Sequence, residues 1–153
     1  MQLEKLAFIT TDSLSRLSNL PANEMGKWGK MNGQQMVEHL TAFFKISTGK
    51  IIIPLVTPEE NLPRLKQFLY SDKEFRENTK APVLPEEPLP WRNTAMTGAL
   101  QELANEMAIF KDRYIENSQQ IVPHPVFGDL SYEEWVLLHY KHVLHHLKQF
   151  GLV

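Results

Sequence analysis

The sequence predicts an all-α fold in which two helices, a long proline-rich crossing and two further helices form a four-helix bundle with one extended connection. Three observations predict it. Four segments carry apolar residues at steps of three and four. Seven of the ten prolines fall within residues 50–92, where no long helix can pass. Neither half of the chain could bury its apolar stripes alone, so residues 1–153 read as one domain.

In the first segment Leu3, Leu6, Thr10, Leu14 and Leu17 share a face, and Pro21 lies beyond its end. The second begins near Asn32, a good N-cap, with Gln35 three residues on. Its stripe is Met36, Leu40, Phe43 and Ser47, flanked by Val37 and Phe44, and Gly49 is its expected stop. The crossing leaves room for short helices at roughly 63–71 and 72–79. The third helix runs from about Asn93 to Asn117 with Met96, Leu100, Leu103, Met107, Phe110 and Tyr114 on one face. The fourth has a capping box, Ser131 with Glu134, and a hydrophobic staple, Leu130 with Trp135. Val136, Tyr140, Val143, Leu147 and Phe150 form its stripe, and Gly151 ends it.

A net charge of −2 with no basic stripe disfavours a nucleic-acid partner. The opening MQLEKLAFITTDSLSRL interleaves acids and hydroxyls with its apolar residues, unlike a signal peptide, and no later run is long enough to span a membrane. The expectation is a cytoplasmic protein without a membrane partner. There is no cysteine, which excludes disulfides, thiolate metal sites and cysteine nucleophiles. Any thiol chemistry must arrive on a co-substrate.

The last helix holds four of the six histidines: His139, His142, His145 and His146. A helix turns about 100° per residue. Relative to Val136, His139 and His146 fall on one shoulder of the apolar stripe and His142 just outside it. His145 points away from the stripe, to solvent. Two histidines chelate one ion only if three or four residues apart, because a step of seven separates them by roughly 10 Å along the axis. The available pairs are 139/142, 142/145 and 142/146, and only 142/146 combines a step of four with both rings turned inward. His39, on the shoulder of the second helix, is the candidate for a third ligand from a neighbouring element, although alone it also reads as a boundary histidine bonded to a backbone carbonyl. His124, in PHPVFG between two prolines, reads as a loop residue. His139, Gln35, Gln149, Trp28 and Asn32 are candidates to back the ligands or line the pocket, although Trp28 and Asn32 also read as core anchor and helix cap. The stretch is not HExxH, because Val143 stands in place of the glutamate, and no catalytic acid or base is identifiable.

The motifs WGKM (Trp28–Met31), QMVEH (Gln35–His39), HPVFG (His124–Gly128) and HHLKQFG (His145–Gly151) together resemble the DinB/YfiT-like superfamily of metal-dependent four-helix-bundle proteins. They are closest to a bacterial branch marked by WGKM, QMxxH, HPxFG and HHLxQFG. The resemblance covers about Leu17 to Val153. It implies an up-down-down-up bundle, a divalent metal on His39, His142 and His146, and frequent homodimers. Many members of that superfamily have Arg-Gly where this chain has Leu147 and Lys148.

Three neutral histidines leave a coordination position open, as in catalytic rather than structural sites. The expectation is therefore a metal-dependent enzyme, either a hydrolase or a thiol-dependent transferase acting on a small-molecule substrate. The alternative is a non-enzymatic metal-binding or structural stress-related protein. Nickel, zinc and iron all suit imidazole and are not distinguished.

Overall fold

The computed structural model describes residues 2–79 and 81–153. Leu3–Ala7, a π-helical turn Phe8–Asp12 and Ser13–Leu17 run without a break as helix α1. Helix α2 spans Gly33–Ser47. Within the crossing, a 3₁₀ turn Glu59–Asn61 leads into helix α3, Leu62–Tyr70. Helix α4 spans Met96–Glu116. Strands β1, Ile121–His124, and β2, Gly128–Ser131, form an antiparallel hairpin that feeds directly into helix α5, Tyr132–Gln149.

The expected pure all-α four-helix bundle is therefore incorrect. A fifth, short helix lies in the crossing, and a two-stranded sheet precedes α5. Val122 and Leu130 pair across the sheet and are buried, while Ile121 and Asp129 face outward. That is strand alternation, but four-residue strands containing Pro123 are too short to declare it against the louder helical pattern. His124, expected in a loop, ends β1 and is buried. Its Nδ1 accepts from the backbone N–H groups of Val126 (3.0 Å) and Phe127 (3.2 Å), closing the hairpin turn.

The expected helix at 63–71 forms as α3, with Pro63 in its first turn, where a missing N–H costs nothing. The one expected at 72–79 does not form. The π-helical turn in α1 inserts one residue and rotates the buried face onto Leu6, Ile9, Ser13 and Leu17, leaving Leu3 exposed.

Both predicted capping boxes are present. Asn32 Oδ1 accepts from Gln35 N (3.0 Å) while Gln35 Oε1 accepts from Asn32 N (2.9 Å). Ser131 Oγ accepts from Glu134 N (3.2 Å), and Glu134 Oε1 from Ser131 N (2.9 Å). At its other end α5 closes with Gly151 at φ +70, where Leu152 N reaches Leu147 O and Gly151 N reaches Lys148 O. This is the paired 6→1 and 5→2 pattern that requires a left-handed residue.

The core joins Leu6, Ile9 and Leu17 of α1 with Leu40 and Phe44 of α2, Leu103 and Phe110 of α4, and Trp135 and Leu147 of α5. Trp135 is buried, and its Nε1 donates to Val122 O (2.9 Å), fastening the hairpin to α5. The crossing is tied down near both ends. Val56 N donates to Pro125 O, and buried Glu38 accepts from the backbone N–H groups of Arg92 (2.8 Å) and Asn93 (3.0 Å). Glu38 immediately precedes His39, so this anchor ties the ligand-bearing turn of α2 to the segment that enters α4.

Candidate metal centre

His39 from α2 and His142 and His146 from α5 converge. His142 Nε2 lies 2.9 Å from His39 Nε2 and 3.1 Å from His146 Nε2, and one ligand atom from each residue falls within 4.8 Å of the others. The three residues can hold a metal ion. The step of four brings His142 and His146 onto one strip of α5, and the packing of α2 supplies His39.

Burial pushes the His39 imidazole down to about 4, with a smaller push from His145. Burial also holds His142 well below its ordinary value, helped by the positive forms of His146 and His39. His146 is lowered by burial and then by His39, against the hydrogen bond it makes to Gln149. All three are neutral near pH 7, the form a metal requires.

The tautomers can be read from the neighbours. Gln149 Nε2 donates to the Trp28 carbonyl (2.9 Å), so Gln149 Oε1 faces His146 Nδ1 (2.7 Å). An amide oxygen only accepts, so His146 Nδ1 carries the proton and His146 Nε2 turns a lone pair to the cluster. A neutral imidazole nitrogen holds at most one proton. Protons alone therefore give His142 Nε2 one good hydrogen bond and leave its other short contact unfilled. A cation accepts a lone pair from each ring, so the donor set fits a metal.

Rings surround the cluster. Phe43 lies 4.3 Å from the His142 ring and 4.9 Å from that of His39, measured between centroids. Phe75, from the crossing, lies 6.4 Å from His142. His145 is half-buried rather than solvated, because Trp28 (5.6 Å) and Phe75 (6.1 Å) pack against it and the Phe75 backbone hydrogen bonds to it. A helical projection cannot see these covers, since both come from irregular segments.

The remaining candidates divide. Gln149 touches the centre directly and Trp28 touches it through Gln149. Asn32 and Gln35 cap α2, and their remaining bonds go to Trp91 Nε1 and Leu89 O, not to the histidines. His139 is not at the centre either. It is stacked on Phe44 (3.9 Å), with Phe110 and Trp135 around it. Sequence reasoning gave Phe43 to the core stripe and missed Phe75. A four-residue step from His39 could have signalled Phe43; nothing local signals Phe75.

Residues 57–151, more than half of the chain, match the family model described as "Protein of unknown function (DUF1569)". The match includes His142, His146 and Gln149 and begins after His39. No curated protein and no solved structure matches the chain. Among the described residues, no helix is long and apolar enough to cross a membrane.

Proposed function

The chain belongs to the DUF1569 family, and from that premise we propose that it is a divalent-metal-dependent enzyme of thiol-dependent transferase type, akin in its site to the DinB/YfiT-like metal proteins. The observation that carries this reading is the convergence of three neutral imidazole nitrogens, one with its tautomer fixed by Gln149. His39, His142 and His146 are the ligands, and Gln149 orients His146. A divalent cation on neutral ligands keeps its positive charge and stabilises the anionic form of a small ligand in the open position.

Two features favour a thiol over water as that ligand. The cluster contains no carboxylate, the usual proton acceptor of a hydrolase. The rings of Phe43 and Phe75 line the surroundings, and aromatic rings suit a polarizable sulfur. The protein has no cysteine, so the chain supplies no thiol of its own and the proposed thiol is a separate low-molecular-weight compound. Exposed Ile52, Leu55 and Val56, beside Ile51 and Ile53, suit a homodimer contact. Light scattering at micromolar concentration would show a dimer, and a monomer removes that element alone.

Tag-free protein should carry about one transition-metal ion per chain by elemental analysis. Titrating the cobalt-substituted protein with a cysteine-derived thiol should raise a near-ultraviolet thiolate-to-cobalt band, absent in His142→Ala. No band, with a proton released near neutral pH instead, would favour a hydrolase. No response to either would leave a non-enzymatic metal protein.

A further inference from the structure

The sequence motif WGKM supplies no ligand to the centre, yet it packs against it. Residues 25–32 form a loop closed at its base, where Met25 bridges Asn32 and Gly33 N donates to Glu24 O (2.7 Å). On its far side the loop packs against Gln149. Lys27 N donates to the Gln149 backbone carbonyl (2.7 Å), and Gln149 Nε2 donates to Trp28 O (2.9 Å). Both glycines of the loop face the same side chain. A Cβ on Gly26 would stand 2.8 Å from Gln149 Cγ, and one on Gly29 would stand 2.8 Å from Gln149 Nε2. Gln149 is 3% exposed and held at both ends of its amide, so it cannot swing aside cheaply. The loop is moulded on Gln149, and the ring of Trp28 lies over His145, next to His146.

We propose that Gln149 is a positioning residue that couples loop 25–32 to occupancy of the three-histidine centre, so that a bound divalent cation and a closed loop reinforce each other. The proposal rests on the metal-binding reading above. Its physical basis is the amide itself. A cation on His146 Nε2 makes Nδ1–H a stronger donor to Gln149 Oε1. Electron density drawn to that oxygen makes Nε2–H a stronger donor to Trp28 O, as in other polarised hydrogen-bond chains. Linkage then requires the reverse: a loop that holds Gln149 in place raises the affinity of the centre.

The glycines provide the test, because they touch no ligand. Zinc affinity is measured by competition with a chromophoric chelator, and loop protection by hydrogen exchange of peptides covering 25–32, with and without zinc. Gly29→Ala should weaken zinc binding about tenfold or more, the range expected for loss of a ligand's hydrogen-bonding partner. Gly49→Ala is the control. Gly49 has the same φ of +78 but nothing within 4 Å of its Cβ position, so zinc affinity should stay within about twofold of wild type. In wild type, zinc should slow exchange in the loop several-fold. Gln149→Glu keeps an acceptor for His146 but loses the donor to Trp28 O. It should bind zinc within about tenfold of wild type, yet zinc should no longer slow the loop. This variant decides the matter if Gly29→Ala fails to fold. Equal zinc affinity in Gly29→Ala and Gly49→Ala overturns the coupling, as does loop exchange indifferent to zinc in wild type. Wild type that binds no zinc, nickel or iron overturns the metal reading itself, and the coupling with it.

Discussion

One turn of α5 separates His142, in the three-histidine cluster, from His139, in the aromatic core. Both are buried, and both are held neutral by that burial: His139 is pushed down to about 3, with a minor contribution from His124. What differs is where their nitrogens point. His142 Nε2 meets two other ring nitrogens within 3.1 Å. His139 is stacked flat on Phe44, with an interplanar angle of 4°, and its Nε2 has no hydrogen-bond partner among the described residues. His124, beyond Trp135, spends its Nδ1 on two backbone N–H groups. Burial and low proton affinity thus do not mark a ligand. Convergence of lone pairs does.

The largest expected effect that could break this comparison is on metal content. His142→Ala should lose the metal to below detection by elemental analysis, because each of the two short contacts includes it, while His139→Leu should retain about one ion per chain. Equal loss in both would show that the aromatic histidine belongs to the centre.

Next is stability. His139→Ala removes a fully buried ring and should lower the unfolding free energy by about 3 kcal/mol, read by urea denaturation. His139→Phe, which keeps the stack on Phe44, should recover most of that.

The pH dependence sharpens the comparison further. His139 and His124 have folded values of about 3 and about 4 against an ordinary value of 6.5, so the unfolded chain binds more protons between those limits. Stability of the metal-free protein should therefore be full above pH 6.5 and fall as the pH drops towards 4, at up to about 1.4 kcal/mol per pH unit for each such histidine. His139→Phe should flatten that slope in urea titrations at pH 5 and 6. An unchanged slope would mean that His139 is already protonated in the folded protein.

The smallest effect is expected at His145, the neighbour of a ligand that is not one. His145→Ala should keep metal affinity within a few-fold and cost about 1 kcal/mol, from contacts with Trp28 and Phe75. A loss of metal comparable to His142→Ala would place His145 among the ligands.

Much of the scaffold was legible because its determinants are local. The capping boxes at Asn32 and Ser131 each need four consecutive residues, and the stop at Gly151 needs one left-handed residue. Met107 and Phe110 recur at helical spacing and are buried with α4. The step of four in His142 and His146 fixes their shared strip of α5 whatever surrounds it. The hairpin was not legible, because alternation over four residues per strand carries too little signal, even though Pro125 and a left-handed Gly128 flank a turn that the His124 side chain closes.

The sequence by itself determined where α2 and α5 start and stop, that two histidines of α5 lie side by side, and that no cysteine takes part. The tertiary structure alone decided that His39 meets them, that His139 turns into the aromatic core, that Trp28 and Phe75 cover His145, and that the Gln149 amide is locked between His146 and Trp28. The reason is physical. Backbone hydrogen bonds and helical spacing act over three or four residues, whereas the direction of a buried nitrogen is set by whichever distant segment packs against it.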